Sequence, residues 1–130
     1  MKLGATLYIK DTIEAVEFYE EVFGMTLGYN EKFPDGTFMH AELLKDGQEI
    51  FSISESRNDA FVDIMLTSSL KESRPTMSYG IQFDSEDEVN KAYSMLIQGG
   101  KVLSPLGALP WSTCCADVVD KYGVYWYIAK

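Results

Sequence analysis

The side chains best suited to chemistry in this sequence are a single histidine and the carboxylates near it. His40 is the only histidine, and an imidazole with its ordinary pKa exchanges protons near neutral pH. In the stretch MHAEL, His40 and Glu42 are two residues apart, so on a strand both side chains project from one face. This pair suits general acid–base catalysis or the orientation of a ligand, although a lone histidine more often has a structural role at a cavity rim or subunit contact.

The two cysteines, Cys114 and Cys115, are adjacent and therefore cannot join distant segments of the chain. A disulfide between neighbouring residues has a strained geometry, so reduced thiols are expected. Cys115 would act as a nucleophile only beside a cation, and the nearest charges, Asp117 and Asp120, oppose a thiolate. The sequence predicts structural thiols, with Cys114 in the core and Cys115 facing a cavity.

The composition narrows the class of partner. The 130 residues include 11 lysines and arginines against 20 aspartates and glutamates, a net charge of -9. Such a surface repels a phosphate backbone and attracts cations, so we expect no nucleic acid and consider a positively charged small molecule. The sequence has no apolar run long enough to cross a membrane and does not begin like a signal peptide, so a cytoplasmic protein is expected.

Two segments have the apolar spacing of a helix that packs on a sheet. The first follows the strand-like ATLYIK, begins after Asp11, whose spacing to Glu14 matches a capping box, and ends at Gly24. The second follows SYGIQFD, begins after Ser85 with Glu88 in the matching position, and ends before a pair of glycines. The same order of strand and helix therefore occurs twice.

Three strand candidates, separated by glycine-containing turns, follow each helix. They are MTLGYNE, TFMHAELL and EIFSIS in the first half, and KVLSP, WSTCCADVV and VYWYIA in the second. The sequence predicts an α+β fold in which one domain, residues 1–130, contains two tandem β-α-β-β-β modules at about residues 1–54 and 77–130. Residues 55–76 fit neither module and are predicted to be a linker with at most one short element.

Several stretches resemble a known family. EAVEFYEEVFG, MHAEL and the closing pattern of Trp111, DKYGV and Trp126 resemble the PhnB-like branch of the vicinal-oxygen-chelate superfamily, which includes glyoxalase I, bleomycin-resistance proteins and extradiol dioxygenases. The resemblance covers nearly the whole chain. It implies a glyoxalase/bleomycin-resistance fold, in which each module curves its sheet into half of a cup, and it implies a homodimer.

Metal-dependent members of this superfamily resemble one another in placing a histidine or glutamate on the first and last strand of each module. The corresponding positions here are about Gly4, Ser52, Ser78 and Tyr127. None of these is a usual ligand of a catalytic divalent ion, and a shift of one residue brings no better ligand. The sequence therefore predicts a cup with neither a metal nor another cofactor.

Strand alternation divides the residues that face the helices from those that face the cup. It assigns Met39, Ala41 and Leu43 to the helix side of the third strand. The four positions named above all fall on the opposite side, which supports the register. The predicted ligand-binding residues of the cup are Tyr8, Phe38, His40, Ser52, Ser78, Gln82, Trp111, Cys115, Tyr125 and Tyr127.

Three functions are compatible with these residues. The first is metal-independent binding of a small aromatic or cationic molecule, because aromatic side chains stack on flat rings and hold cations. The second is a lyase or isomerase of the same superfamily, with or without a divalent metal, in which His40 and Glu42 are catalytic. The third is a dimeric regulatory module without small-molecule chemistry, which a cup filled by its own side chains would favour.

Overall fold

The computed structural model of the chain describes residues 1–70 and 74–130, which form two compact units, Met1–Asp59 and Ala60–Lys130. The first unit consists of β1 (Thr6–Ile9), α1 (Thr12–Phe23), β2 (Thr26–Lys32), β3 (Phe38–Lys45) and β4 (Gln48–Glu55). The second consists of α2 (Ala60–Thr67), β5 (Tyr79–Gln82), α3 (Glu86–Leu96), β6 (Lys101–Leu109), β7 (Ser112–Val119) and β8 (Tyr125–Ala129). Among the described residues, none of the helices has the length and apolarity needed to cross a membrane.

Each unit contains one four-stranded mixed sheet, and the predicted α+β fold with two β-α-β-β-β modules is confirmed. The strand orders are β1-β4-β3-β2 and β5-β8-β7-β6. In each sheet the first strand pairs in parallel with the last, while the other neighbours are antiparallel. The helix after the first strand supplies the crossover that lets the next strands return through hairpins.

The apolar side of α1 packs on the first sheet. Tyr19 and Phe23 lie with their rings 5.9 Å apart, and Tyr19 meets Phe51 of β4 edge-on at 5.6 Å. Burial of each such aromatic side chain contributes on the order of 1.5–3 kcal/mol, so this cluster holds the helix on the sheet. Gly24 then ends α1 in the left-handed conformation, φ 62°, which costs glycine little.

The start of α1 differs from the prediction. Asp11 has a left-handed backbone, φ 62°, and its side chain makes no capping hydrogen bond. Instead, the carboxylate of Glu55, at the end of β4, accepts hydrogen bonds from the backbone N–H of Asp11 at 3.1 Å and of Thr12 at 2.9 Å. The predicted capping box at Asp11 and Glu14 is therefore wrong, because a carboxylate distant in sequence occupies that position.

The start of α3 agrees with the prediction. The Ser85 hydroxyl accepts from the Glu88 N–H at 3.3 Å, and the Glu88 carboxylate accepts from the Ser85 N–H at 3.1 Å. Val89 and Ala92 are buried on the inner side of this helix. The capping box and the apolar stripe together start the helix and orient it on β7 and β8.

The segment between the modules contains α2, which packs on the second sheet. Met65 and Leu66 of α2 contact a buried cluster of Leu70, Leu103, Val119 and Tyr125. The close approach of α2 to the turn before β8 also requires a glycine at position 123, because a Cβ on Gly123 would lie 2.9 Å from the Cα of Val62. The predicted short element is thus a helix that belongs to the second unit, and residues 71–73 of the predicted linker lie outside the described residues.

We expect Glu55→Ala to destabilise the protein by about 1–2 kcal/mol, because two backbone donors at the start of α1 would lose their acceptor. Glu17→Ala, which removes an exposed carboxylate from the same helix, should change stability by less than about 0.5 kcal/mol. Urea unfolding followed by circular dichroism measures both. Equal stability of the two variants would show that Glu55 does not cap the helix.

Candidate functional site

A cleft opens on the face of the second sheet opposite α3, named here the distal face. Trp126 and Ile128 of β8 are fully buried, and between them Tyr127 projects to the other side. The cleft has a volume of about 300 Å³. Its lining residues are Gly80, Ile81, Gln82, Trp111, Ser112, Tyr127, Ala129 and Lys130. Three predicted ligand-binding residues, Gln82, Trp111 and Tyr127, therefore come together.

A second cleft, of about 540 Å³, adjoins the first. The two share Gln82, Trp111, Ser112 and Lys130. The larger cleft is also lined by Phe83, Asp84, Leu109, Pro110 and Thr113. It thus adds a carboxylate and further apolar surface to the smaller one.

Trp111 is the most prominent side chain at these clefts. It lies in the two-residue turn between β6 and β7, and 72% of its surface is exposed. Its indole Nε1–H donates a hydrogen bond to the hydroxyl oxygen of Tyr127 at 3.0 Å. Burial raises the pKa of Tyr127 and the neighbouring Cys115 adds to this, while the hydrogen bond from Trp111 acts in the opposite direction. The exposed indole, held by this hydrogen bond, offers a flat apolar surface to a ligand.

Tyr125, predicted to line the cup, is buried to 9% exposure and is not available there. Its hydroxyl donates to Asp117 at 2.9 Å and accepts from Arg74 at 3.0 Å. Arg74 also contacts Asp117 at 3.3 Å and donates to the Ser104 hydroxyl at 2.7 Å. Burial raises the pKa of Tyr125, which agrees with its place under this cluster. The sequence analysis missed Arg74, since no local spacing relates it to strands so far along the chain.

Both cysteines are buried, and they face opposite sides of β7. Cys114 packs in the core as predicted, and burial raises the pKa of its thiol. Cys115 is only 2% exposed, although it lines a third cleft of about 370 Å³ together with Asp117 and residues 104–109. Cys115 thus borders a cleft, but its sulfur is almost inaccessible, and a ligand-binding role for it stays a prediction.

In the first unit the predicted His40–Glu42 pair forms. The His40 Nε2 lies 3.5 Å from the Glu42 Oε1, and both side chains are partly exposed. The ring of Tyr29 is 6.1 Å from the His40 ring, and its hydroxyl donates to Glu31 at 2.6 Å. That hydrogen bond raises the pKa of Tyr29. An imidazole, a carboxylate and a phenol thus share one part of the sheet, an arrangement suited to moving a proton.

Phe38 does not line the cup, and the reason is an irregularity in the β2–β3 pairing. Lys32 pairs with Phe38 and Glu31 with His40, which leaves Met39 as an extra residue. Such a bulge reverses the alternation on one side of it. Consequently Phe38 is buried at 4% exposure, while Met39, predicted to be core, is 49% exposed.

The remaining predicted residues of the first unit have different surroundings. Tyr8 is 73% exposed and available to a ligand, whereas Ser52 is buried. The Ser52 hydroxyl lies 3.0 Å from that of Thr6, its partner across the parallel pair, and this bond occupies it within the sheet. Ser52 is therefore corrected from a ligand-binding to a structural residue.

The register also refines the positions that correspond to a metal site. Gly4 and Ser78 precede β1 and β5, and the residues opposite Ser52 and Tyr127 are Thr6 and Gly80. Two hydroxyls in one unit, and a phenol beside a glycine in the other, do not fit a catalytic divalent ion. Within residues 1–70 and 74–130, no three histidine, cysteine, aspartate or glutamate side chains are grouped as ligands of a metal.

The sequence and the fold are both similar to those of known proteins. Residues 4–127 match the family model of the Glyoxalase/Bleomycin resistance protein/Dioxygenase superfamily. None of the curated proteins matches the sequence.

Solved structures have the same fold. The PhnB protein from Bacillus cereus is 27% identical, with a TM-score of 0.75 over 99% of this chain and 98% of its own. The protein PA1353 from Pseudomonas aeruginosa is 22% identical, with a TM-score of 0.74 over 99% and 96% of the two chains. A glyoxalase-related enzyme from Fulvimarina pelagi is 19% identical, with a TM-score of 0.61 over 99% and 87%. The resemblance to the PhnB-like branch is confirmed.

We expect neither thiol to react with Ellman's reagent within minutes in the native protein, because Cys114 and Cys115 are both buried. Both should react at once in guanidinium chloride, giving two thiols per chain. Absorbance at 412 nm, recorded before and after addition of the denaturant, measures the two values. A rapid native reaction that Cys115→Ser removes would instead identify Cys115 as an accessible thiol.

Proposed function

Because the chain belongs to the glyoxalase/bleomycin resistance protein/dioxygenase superfamily, we propose that it binds a small aromatic or cationic molecule at the distal face of its second sheet. The observation that carries this proposal is Trp111, an exposed indole held by Tyr127 over a cleft of about 300 Å³. That volume lies at the lower end of the range for small-molecule sites.

The chemistry of the cleft favours a flat ring. Stacking on an aromatic side chain contributes roughly 0.5–1.5 kcal/mol beyond the area buried, and a cation over the indole gains a similar amount. Gln82 adds a polar side chain at the exposed end of β5. The net charge of -9 supports a cationic ligand through the field of the whole protein, while Lys130 opposes it locally.

The proposal requires no metal. The positions that correspond to the metal ligands of the superfamily carry hydroxyls, a phenol and a glycine. The affinity for a ligand must therefore come from stacking, hydrogen bonds and charge. Binding should therefore persist in the presence of a chelator. Assembly as a homodimer stays a prediction from the family resemblance.

We expect Trp111→Ala to weaken binding of acridine orange, a flat cationic dye, by about tenfold, because the stacking surface is lost. Phe61→Ala is the matched control, since Phe61 is an aromatic side chain of similar exposure, 69%, on α2 and away from the clefts. Isothermal titration calorimetry in buffer with a chelator measures both affinities.

The charge of the ligand is tested separately with 8-anilinonaphthalene-1-sulfonate, an aromatic anion. Binding of the cation alone supports a cationic ligand, and tighter binding of the anion assigns the charged contact to Lys130. Equal affinity of wild type and Trp111→Ala for both dyes would contradict the site.

A second function, proton transfer by an enzyme, is favoured by one observation, the His40–Glu42 contact at 3.5 Å with Tyr29 beside it. In this proposal His40 removes a proton from a carbon next to a carbonyl, and Glu42 orients the imidazole. The proton passes from the substrate carbon to His40 and then from His40 back to the substrate, as an isomerase requires.

The expected result is deuterium incorporation at the carbon acids dihydroxyacetone or pyruvate in heavy water, followed by proton NMR. His40→Ala should slow the exchange by about 100-fold, because a positioned base contributes at least that factor. Glu49→Gln, on β4 of the same sheet, is the control and should exchange like wild type. If the wild-type protein incorporates deuterium into these compounds no faster than buffer alone, the proposed enzymatic function is wrong.

A further inference from the structure

Trp111 occupies a position where a side chain is ordinarily mobile. It lies at the tip of the β6–β7 hairpin, with most of its surface in solvent. Its described polar contact is the hydrogen bond from Nε1 to the Tyr127 hydroxyl, 16 residues further along the chain. This bond ties the hairpin tip to β8.

The same indole borders both clefts of the distal face. The smaller cleft extends from Trp111 toward Gly80 and Tyr127, and the larger one toward Asp84 and Leu109. We propose that Tyr127 is a positioning residue whose hydroxyl holds the Trp111 indole as a partition between two subsites. The biological consequence rests on the proposed function, but the position of the indole is testable without any ligand.

Tyr127 is well placed for this role because its strand is rigid. It pairs with Gly80 on one side and with Asp117 on the other, in the middle of the sheet. A Cβ at Gly80 would meet no atom within 4 Å, so the floor beside the Tyr127 ring is open to a ligand. The phenol oxygen accepts the hydrogen bond from the indole N–H at 3.0 Å.

The partition defines the class of ligand more closely. The smaller subsite has two aromatic walls, Trp111 and Tyr127, which suit a flat ring. The larger subsite adds the carboxylate of Asp84 beside apolar surface, while Lys130 borders both subsites. A flat ring with a charged arm therefore fits the pair, with the ring on one side of the indole and the arm on the other.

The test uses the two indole N–H resonances of the 15N-labelled protein, one from each tryptophan. Tyr127→Phe removes only the hydroxyl. It should lower the heteronuclear NOE of Trp111 and speed its exchange with water by roughly two- to fivefold, the equivalent of one exposed hydrogen bond. Trp126, whose Nε1–H donates to buried Asp120 at 2.7 Å, is the internal reference and should not change.

Tyr79→Phe is the matched control, because it removes a hydroxyl from the neighbouring edge strand of the same sheet. It should leave the Trp111 resonance as in wild type. An unchanged Trp111 NOE in folded Tyr127→Phe would overturn the proposal. So would a wild-type Trp111 NOE far below that of Trp126, a measurement that does not depend on whether the variant folds.

Affinity for acridine orange separates this inference from the proposed function. If Tyr127→Phe frees the indole and weakens binding roughly fivefold, the partition is part of a binding site. If the indole is freed but the affinity of wild type and variant is the same, Tyr127 still positions Trp111, but the partition does not contribute to binding. The proposed function itself fails only if Trp111→Ala also leaves the affinity unchanged.

Discussion

A buried carboxylate determines how the last strand of the second unit is placed. Asp120 is fully buried and accepts hydrogen bonds from the Trp126 indole at 2.7 Å and from the backbone N–H of Tyr122 and Val124. A buried charge is costly unless donors surround it, so this turn has one favourable arrangement. Trp126 then points into the core, and Tyr127, the next residue, must point to the distal face where the clefts lie.

The two units reach the same topology through different local interactions. In the second unit, α3 begins with its own capping box at Ser85 and Glu88, whereas α1 of the first unit depends on Glu55 from the end of β4. The nonlocal cap couples the start of α1 to the completion of the β1–β4 pair. We infer that α1 depends on tertiary structure for its stability more than α3 does.

The chemical character of the two units also differs. The first has a histidine and carboxylates on its sheet, and the second has an indole and a phenol over open clefts. Membership of the superfamily accounts for the shared scaffold, while function depends on such side chains. The position of α2 and Arg74 adds to this difference, because they cover Tyr125 and leave the other end of the distal face open.

The order of the strands and helices, the capping box of α3 and the buried position of Cys114 followed from the sequence, because apolar periodicity and capping depend on residues close together in the chain. The environments of Phe38, Tyr125 and Trp111 were decided by tertiary structure. A bulge at Met39 reverses the alternation at Phe38, Arg74 reaches Tyr125 across 51 positions, and Trp111 bonds to Tyr127 across 16. Pairing register and hydrogen bonds between distant segments leave no local pattern, so only the folded chain reveals them.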